Sequence, residues 1–283
     1  MRKLLSIALC LPLAACTIGE DDPGSGGDDQ GPGGTVTPPP DGSLVGLISQ
    51  DTTWSGTVLI GIANQSATRI DSGVTVTVSP GTVIKFKSGA SLDIKGTLRV
   101  QGTKDQKVTI GPSADNAFAL VLGAAPTAGT LDLSYVVMTR GNIQTNAGSK
   151  ATIVDTKMYK SAGDLLIMNG GTVNMTYSQI GPAPGETETT HCNIHTGGDA
   201  NTISITHSNI NGAPYGLMLY GGLNADFKLN NWYDNTTDVD TQPGVSGDVS
   251  GSWFDGAPPT AGSSATLTAN NLATGKLTDA GVR

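Results

Sequence analysis

VTVTVSPGTVIKFKSGASLDIKGTLRVQGT, residues 74–103, alternates apolar and polar residues in very short runs that Gly or Pro separates. This alternation is typical of β-strands with one buried face, because successive side chains point to opposite sides of a strand. Each run offers two inward apolar positions, and these are Val76 and Val78, Ile84 and Phe86, Leu92 and Ile94, and Leu98 and Val100. Strands this short need many neighbours, which favours a fold that stacks them repeatedly.

Apolar residues recur along the chain with a period near 22 residues, which indicates an internal repeat. One predicted column of equivalent positions contains Val76, Leu98, Leu120, Ile143, Leu166, Ile194, Leu217 and Val239. A second predicted column contains Ile110, Leu133, Ile153, Met175, Ile205, Phe227 and Val249. Both columns lengthen between Ile180 and Ile194, and this shared insertion predicts a protruding loop over residues 181–193.

A repeat of this length predicts an all-β parallel β-helix, a solenoid of about eight coils of roughly 22 residues over residues 44–256. Each coil should contribute about three short strands, and equivalent residues of successive coils should stack at the strand spacing of roughly 4.8 Å. Residues 257–283 are then a C-terminal cap or tail. One inward column is predicted to be a ladder of hydrogen bonds at a bend, and it contains Val136, Thr156, Ser178, Ser208 and Asn230.

Several segments carry a resemblance to a known family. The stretch 74–110 resembles the right-handed parallel β-helix repeats of bacterial surface proteins in the pectate-lyase-like superfamily. TTWSGTVLI (52–60) resembles the opening segment of those domains, while NNWYDN (230–235) and GSWFDG (251–256) resemble the Asn-Asn-Trp motif that closes their coils. The resemblance covers about residues 50–256 and implies a single-stranded, right-handed winding. It does not choose a function, because this fold hosts lyases, hydrolases, adhesins and passive spacers.

The N-terminus has the pattern of a secretory signal followed by a lipidation motif. Two basic residues precede an apolar run over residues 4–13, which is too short to span a bilayer. The run leads into LAAC, residues 13–16, which resembles a bacterial lipobox. The resemblance implies that residues 1–15 are a signal peptide and that Cys16 is acylated, whereas an ordinary signal cut near Ala15 is the alternative.

Residues 16–43 contain the lipidated cysteine and a stretch rich in Gly, Pro and acidic residues, with almost no apolar side chains. This composition predicts a disordered tether, because it cannot bury enough surface to offset chain entropy. The residue after Cys16 is Thr17. In the enterobacterial sorting rule an Asp at this position retains a lipoprotein in the inner membrane, so Thr17 favours the outer membrane. The predicted location is therefore the cell envelope, as an outer-membrane lipoprotein on its periplasmic or surface face.

The chain is acidic overall, with 24 Asp and Glu against 16 Lys and Arg and a formal net charge of −8. This balance argues against a nucleic-acid partner. Basic residues concentrate in residues 69–160, where contact with acidic glycans is one interpretation and a solvated surface is the other. The predicted partners are the membrane, through the N-terminal lipid, and polysaccharide or envelope proteins.

Acidic residues of the later coils carry the enzymatic alternative. A polysaccharide lyase needs carboxylate ligands for calcium and a basic residue that abstracts a proton. The superfamily's lyase signatures around Trp-Asp-His and Arg-Pro are not present. Asp226 and Asp248 should stack on one outward face, with Lys228 beside them. A calcium site is one interpretation, and a solvated acidic turn the other, for Asp234, Asp238 and Asp240.

The segment HCNIHTGG, residues 191–198, collects His191, Cys192 and His195. These are zinc-ligand residue types, but the signal is weak because no second Cys or His pair accompanies them. His195 should point to solvent, since its neighbours on both sides face inward. Cys192 is the only cysteine of the domain, so no internal disulfide can form and a buried or inert thiol is expected.

One predicted outward column is unusually apolar, and it contains Thr77, Arg99, Val121, Gln144, Ile167, His195, Met218 and Asp240. An exposed apolar stripe marks a binding surface unless another segment covers it. Residues 257–283 are the candidate cover. If the stripe is open, the expected glycan or partner contacts are Val121, Ile167, Met218, Tyr215 and Tyr220.

The pattern therefore favours a non-enzymatic envelope lipoprotein whose β-helix is a scaffold for adhesion, envelope structure or glycan contact. No catalytic residue is assigned. The alternative is a polysaccharide lyase or glycoside hydrolase that acts on acidic glycans. A passive spacer in a larger assembly is the third interpretation.

Overall fold

The computed structural model describes residues 42–66, 68–114, 117–198, 201–222, 224–262 and 264–283. The predicted signal peptide, Cys16 and nearly all of the predicted tether lie outside these residues. The described part of the chain is all-β and contains no helix, and accordingly no helix in it is long and apolar enough to cross a membrane.

The described strands form three parallel sheets. The first sheet contains β1 (Gly46–Ile48), β4 (Thr68–Ile70), β7 (Ser91–Ile94), β10 (Phe118–Leu122), β13 (Gly141–Thr145), β16 (Leu166–Met168), β19 (Cys192–Thr196), β22 (Tyr215–Leu219) and β25 (Thr237–Thr241). The second sheet contains β2 (Thr52–Trp54), β5 (Thr75–Val78), β8 (Thr97–Gln101), β11 (Thr130–Ser134), β14 (Lys150–Val154), β17 (Gly171–Thr176), β20 (Asn201–Thr206), β23 (Ala225–Asp226), β26 (Ser246–Asp248) and β28 (Thr266–Thr268). The third sheet contains β3 (Thr57–Ile60), β6 (Val83–Phe86), β9 (Val108–Pro112), β12 (Val136–Thr139), β15 (Lys157–Tyr159), β18 (Gln179–Ile180), β21 (Asn209–Asn211), β24 (Asn231–Tyr233) and β27 (Trp253–Phe254).

Each coil contributes one strand to each sheet, so that a strand pairs with the strands of the coils before and after it. The result is a parallel β-solenoid of about nine turns of ~23 residues, which confirms the fold predicted from the repeat. The right-handed winding that the family resemblance implies stays a prediction.

The first predicted apolar column is confirmed from Leu120 to Val239. Leu166 lies between Ile143 and Ile194 in register, and the whole column is buried. The start of the column was wrong, because Leu120 pairs with Leu92 rather than following Leu98. Val76 and Leu98 pair with each other in the second sheet. Their column continues to Leu131, which lies two residues before Leu133 on β11. The coil between Leu98 and Leu131 is longer than the average period, and its extra residues cause the error in the predicted column.

The second predicted column is confirmed over four consecutive strands, where its members are Leu133, Ile153, Met175 and Ile205. Phe227 and Val249 are fully buried in the next two coils. Ile110 was assigned wrongly, since it belongs to the third sheet and pairs with Met138. The same longer coil separates it from the column in which a fixed period had placed it.

The predicted polar ladder runs through the corner between the second and third sheets. The side-chain oxygen of Ser178 accepts a hydrogen bond from the Thr156 backbone N–H at 3.3 Å, and the Ser208 Oγ accepts from the Ser178 N–H at 3.1 Å. Asn230 Oδ1 accepts from the Ser208 N–H at 2.9 Å, and Ser252 extends the ladder by accepting from the Asn230 N–H at 3.1 Å. All five are fully buried, so each coil satisfies a backbone donor of the coil before it.

A left-handed residue turns the chain at the same corner, immediately before each of the five ladder residues predicted from the sequence. These residues are not glycines, and they are Tyr135, Asp155, Tyr177, His207 and Leu229, with φ between 47° and 60°. Left-handed φ is uncommon for such side chains, and stacking between coils helps to hold it. The rings of Tyr177 and His207 stack with centroids 5.2 Å apart. The corner therefore presents a column of large side chains to the outside of the solenoid.

The C-terminal strap, residues 269–283, lies along this corner and crosses the coils in reverse order. The Ala273 N–H donates to the Ser252 carbonyl at 2.9 Å, and the Gly281 N–H donates to the His207 carbonyl at 2.9 Å. Arg283 reaches back to Asp155. These contacts lie between the second and third sheets, whereas the apolar stripe that the C-terminus was a candidate to cover lies on the first.

The insertion lies at residues 181–191, close to the predicted loop, but it packs against the solenoid instead of protruding freely. Lys157 pairs with Glu186 at 2.5 Å. Glu188 Oε1 accepts hydrogen bonds from the backbone N–H groups of Lys160 and Thr190 at 2.7 and 2.8 Å. Two carboxylates thus fasten the loop to the turn below it, and composition alone did not reveal these contacts.

Candidate functional site

The outer face of the first sheet carries a group of connected polar and aromatic side chains that could bind a ligand. We name it the His–Tyr patch, and its members are Asp164, His191, His195, Tyr215, Tyr220 and Asp240. The patch spans the last four coils of that sheet, from the turn before β16 to β25. Outward positions of neighbouring strands bring these residues together, because parallel pairing stacks equivalent residues of successive coils.

The outward column that passes through the patch is confirmed from Val121 onwards. Strand pairing places Gln144 beside Val121 and Ile167 beside Gln144. The column then continues through His195, Met218 and Asp240. Its predicted beginning was wrong, because the two residues placed there pair with each other in the second sheet, and these are Thr77 and Arg99. Asp93 takes their place beside Val121.

Asp164 holds both histidines of the patch with one carboxylate. Its Oδ1 lies 2.9 Å from His191 Nδ1, and its Oδ2 lies 2.6 Å from His195 Nδ1. An ionised carboxylate only accepts hydrogen bonds, so both Nδ1 atoms carry a proton and donate it. In a neutral imidazole the other ring nitrogen is then an acceptor. Asp164 therefore selects one tautomer for two rings at once and leaves two Nε2 lone pairs for a ligand.

Two tyrosines flank the histidines. The rings of His191 and Tyr215 lie 5.3 Å apart in a tilted arrangement, and those of His195 and Tyr220 lie 5.3 Å apart edge to face. The Tyr220 hydroxyl donates to Asp240 Oδ2 at 2.5 Å. This hydrogen bond to a carboxylate, together with burial, raises the pKa of Tyr220 to about 12. Tyr220 therefore stays a neutral phenol, and its ring and remaining oxygen lone pairs are available to a ligand.

The patch is accessible from outside. The side chain of His191 is 54 % exposed and that of His195 is 30 % exposed, whereas Asp164 beneath them is only 19 % exposed. Tyr215 and Met218 are partly exposed at its centre. Among the predicted contact residues, the structure brings Ile167, Met218, Tyr215 and Tyr220 into or beside the patch. Val121 lies two strands away from Ile167 along the same column.

Cys192 does not join the two histidines as a ligand. Its side chain is fully buried and its Sγ lies 3.0 Å from the Ile194 carbonyl oxygen, on the inner side of β19. Burial raises the pKa of this thiol to about 12. Across the described ranges, no group of three or more His, Cys, Asp or Glu side chains is arranged to hold a metal ion.

The acidic residues of the later coils divide among separate places. Asp240 accepts from Tyr220 in the patch, while Asp238 Oδ1 accepts from Asn235 Nδ2 at 2.9 Å in the turn before it. Burial raises the pKa of Asp238. The Asp234 N–H donates to Asp255 at 2.7 Å, in the next coil. The calcium site predicted for Asp234, Asp238 and Asp240 stays a prediction.

The second sheet carries its own charged group. Asp226 and Asp248 pair in register, as their spacing predicts. Lys228 lies between them, with its Nζ 3.4 Å from Asp226 and 3.9 Å from Asp248. The three side chains neutralise one another in part and line a shallow pocket, on a different sheet from Asp240. Asp226 and Asp248 thus share one pocket with a basic residue, and Asp240 does not line it.

Asp164, the residue that organises the patch, was not predicted from the sequence. The signal was present in the register. Aligning LLIM with NIHT across the insertion places Ile167 beside His195. The same alignment carries Asp164 to the turn that contains His191. A carboxylate next to a histidine turn on the neighbouring coil is a sign of paired polar groups, and only the correct insertion length reveals it.

The fold and the patch define the class of this protein, which is a parallel β-solenoid with a His–Tyr–Asp surface on one outer sheet. No family model matches the chain, and no curated protein or solved structure matches it either.

Proposed function

We propose that this protein is a non-enzymatic lipoprotein of the cell envelope whose β-helix presents the His–Tyr patch to a glycan, in adhesion or envelope structure. The observation that carries the proposal is the pair of imidazoles that Asp164 orients beside two partly exposed tyrosine rings. A rigid solenoid supports such a surface well, because each coil is held in register by its neighbours.

The chemistry of the patch fits a sugar. Tyrosine rings pack against the C–H faces of sugar rings. The Tyr220 hydroxyl donates its proton to Asp240, so it can only accept a hydrogen bond from a sugar. The two Nε2 lone pairs accept hydrogen bonds from sugar hydroxyls, while Asp164 and Asp240 keep their donors in fixed positions. An open surface of this kind, with a few convergent polar groups, suits a polysaccharide chain. A small molecule is usually buried in a closed pocket instead.

Glycan binding is tested with the purified soluble protein on an array of envelope and host polysaccharides, acidic and neutral. His191→Ala and Tyr215→Ala should each weaken binding by about tenfold or more, because each removes a ring and a polar contact. Gln144→Ala is the matched control, since Gln144 lies two strands away from His195 on the same outward column. Binding that is unchanged by both patch variants would remove the patch from the proposal.

The envelope location rests on the lipobox-like LAAC at residues 13–16 and on the Gly- and Pro-rich stretch after it. Acyl chains on Cys16 would anchor the mature protein, since each buried methylene contributes about 0.8 kcal/mol. Cells that express Cys16→Ser should release the protein from the membrane fraction. Retention of this variant in the membrane pellet at the wild-type level would contradict lipidation. The right-handed winding of the pectate-lyase-like superfamily belongs to the same proposal.

Hydrolysis or lytic cleavage of acidic glycans is the second candidate, and one observation favours it. Asp164 and Asp240 both lie in a surface that also holds two histidines, which are the residue types of acid–base catalysis. Binding takes precedence because both carboxylates are already engaged by neighbouring side chains. Incubation with the glycans that bind should release neither unsaturated products nor new reducing ends, and release of either would make the enzyme the better interpretation.

A further inference from the structure

The C-terminal strap is bound to the solenoid in the manner of a peptide ligand. Asn231 pairs with both backbone groups of Leu277, since its Oδ1 accepts from the Leu277 N–H at 2.8 Å and its Nδ2 donates to the Leu277 carbonyl at 2.9 Å. A side-chain amide that pairs with the N–H and the C=O of one residue in this way recognises that residue's backbone whatever its side chain. We name the surface formed by Asp155, Tyr177, His207, Asn231 and Tyr233 the corner groove.

Two cationic side chains of the strap occupy aromatic positions of the corner groove. Lys276 Nζ lies 3.5 Å above the centroid of the Tyr233 ring, and the Arg283 guanidinium lies 3.8 Å above that of Tyr177. Cations are attracted to the faces of aromatic rings within about 6 Å. The groove is therefore selective for positive charge at both ends of an eight-residue peptide, numbered 276–283.

A buried carboxylate lies at one end of the corner groove. Asp155 is 2 % exposed, yet its two oxygens accept hydrogen bonds from the Arg283 side chain at 3.0 and 2.9 Å. The Arg283 backbone N–H adds a third at 3.1 Å. Paired donors on a planar guanidinium match a carboxylate closely, which favours Arg over Lys at this position. Asp155 thus makes this end of the groove specific for arginine, beyond a general preference for positive charge.

Residues 276–283 of the strap lack buried apolar side chains, unlike Ala269 and Leu272, which pack against the core. In residues 276–283 only Gly281 is buried, while Lys276, Val282 and Arg283 are exposed. Hydrogen bonds and cation–aromatic contacts near the surface are the first to open locally. The surroundings also favour a basic ligand, because residues 161–283 hold three Lys and Arg against eleven Asp and Glu.

We propose that the corner groove is a recognition site for basic peptides, with the chain's own residues 276–283 as an exchangeable occupant. In the groove, Tyr233 binds a lysine side chain and Asn231 binds the backbone of one residue. Asp155 and Tyr177 together bind an arginine side chain. The tethered strap competes with any peptide added in solution, since a tethered segment acts at an effective concentration of the order of millimolar.

The test uses the whole protein and a fluorescent peptide with the sequence TGKLTDAGVR, residues 274–283. Arg283→Asp in the protein places two carboxylates together and releases the end of the strap. In anisotropy titrations this variant should bind the peptide at least about tenfold more tightly than the wild type does, because its own strap no longer competes. A peptide with Arg283→Ala, and the double variant Asp155→Asn with Arg283→Asp, should each lose about tenfold or more.

Equal peptide binding by the wild type and the Arg283→Asp variant, or binding that ignores Asp155, would overturn the proposal. A second measurement on the wild type covers the case in which the variant does not fold. Native-state hydrogen exchange should open the amides of Leu277 and Gly281 well before the ladder amide of Ser178. If these three amides exchange together, the strap is a fixed part of the fold and not an exchangeable occupant.

Discussion

Arg283 and Asp155 are 128 positions apart in the chain, yet the guanidinium of one holds both carboxylate oxygens of the other at 3.0 and 2.9 Å. The contact joins the C-terminus to a corner residue in the middle of the solenoid. Asp155 is buried, so the pairing compensates for removing a carboxylate from water.

This pair predicts a pH dependence of stability. Burial raises the pKa of Asp155, but hydrogen bonds and charge from Arg283 outweigh it and hold the pKa below its ordinary value. The unfolded state therefore binds the proton more readily, and the stabilisation is present above the unfolded pKa of about 3.9 and is lost as the pH falls through the folded pKa. Urea unfolding should show wild type more stable than Asp155→Asn at neutral pH, with the difference vanishing in acid.

Asparagine is a suitable control residue at position 155, because it tolerates the left-handed φ of 47° found there. The other groups around this carboxylate are Tyr135, Tyr177 and His207, and both proteins share them. Their titration should therefore largely cancel in the difference. A stability difference that stays constant from neutral to acidic pH would show that Asp155 is not held by its charge.

A charged side chain in the inward column of the first sheet is expected to lower the stability of the fold strongly. Leu166→Asp places a carboxylate without a partner between Ile143 and Ile194, which should cost several kcal/mol against a typical stability of about 5–15 kcal/mol. Gln144→Asp lies on the outward side of the neighbouring strand and should cost far less. Thermal melts followed by circular dichroism separate the two, and similar losses would contradict the register.

The polar ladder predicts a penalty for a single hydroxyl. Ser208→Ala removes the acceptor of the buried Ser178 N–H and should cost about 1–3 kcal/mol. Ser204→Ala is the matched control, because Ser204 lies on the partly exposed outer face of β20. Chemical denaturation measures both. If the two alanine variants lose the same free energy of unfolding, the ladder contributes nothing beyond the burial of its residues.

The buried thiol of Cys192 is expected to react slowly with alkylating reagents. Cys192 is fully buried and its pKa is raised to about 12, so little reactive thiolate exists at neutral or mildly alkaline pH. Iodoacetamide should modify the native protein many times more slowly than the protein in denaturant, as intact mass spectrometry would show. Rapid alkylation of the folded protein would mean that β19 opens readily.

The insertion predicts that its carboxylate stabilises the corner below it. Glu188→Ala leaves the N–H groups of Lys160 and Thr190 without their acceptor and should cost about 1–3 kcal/mol. Thr187→Ala is the control, because this neighbouring side chain is exposed. Melting temperatures that agree for Glu188→Ala and wild type would restore the view of a freely protruding loop.

The sequence predicted the solenoid correctly because a repeating apolar pattern is also a repeating burial requirement. From Leu120 to Val239 the spacing alone placed each inward residue on the correct neighbour. It failed for Leu98 and Ile110, where one coil is longer than the rest. A spacing shows that residues have been added to a coil, but it does not show which turn contains them.

The candidate site was predicted only in part, for a related reason. Met218 was named from its outward position and Tyr215 and Tyr220 from their closeness to it in the sequence, and all three lie in or beside the patch. Asp164 was not named, since its importance comes from two hydrogen bonds across an insertion. Polar contacts depend on distances of a few tenths of an ångström, and a periodic pattern contains no information at that scale.

By itself the sequence determined the all-β class, the coil length and the buried columns, because apolar periodicity must match the stacking of strands. Only the tertiary structure decided that Asp164 clamps two histidines and that Arg283 returns to Asp155. These contacts join residues from turns and from the C-terminal strap, where no repeat constrains position. Their partners are chosen by the path of the chain in space, which a one-dimensional pattern does not contain.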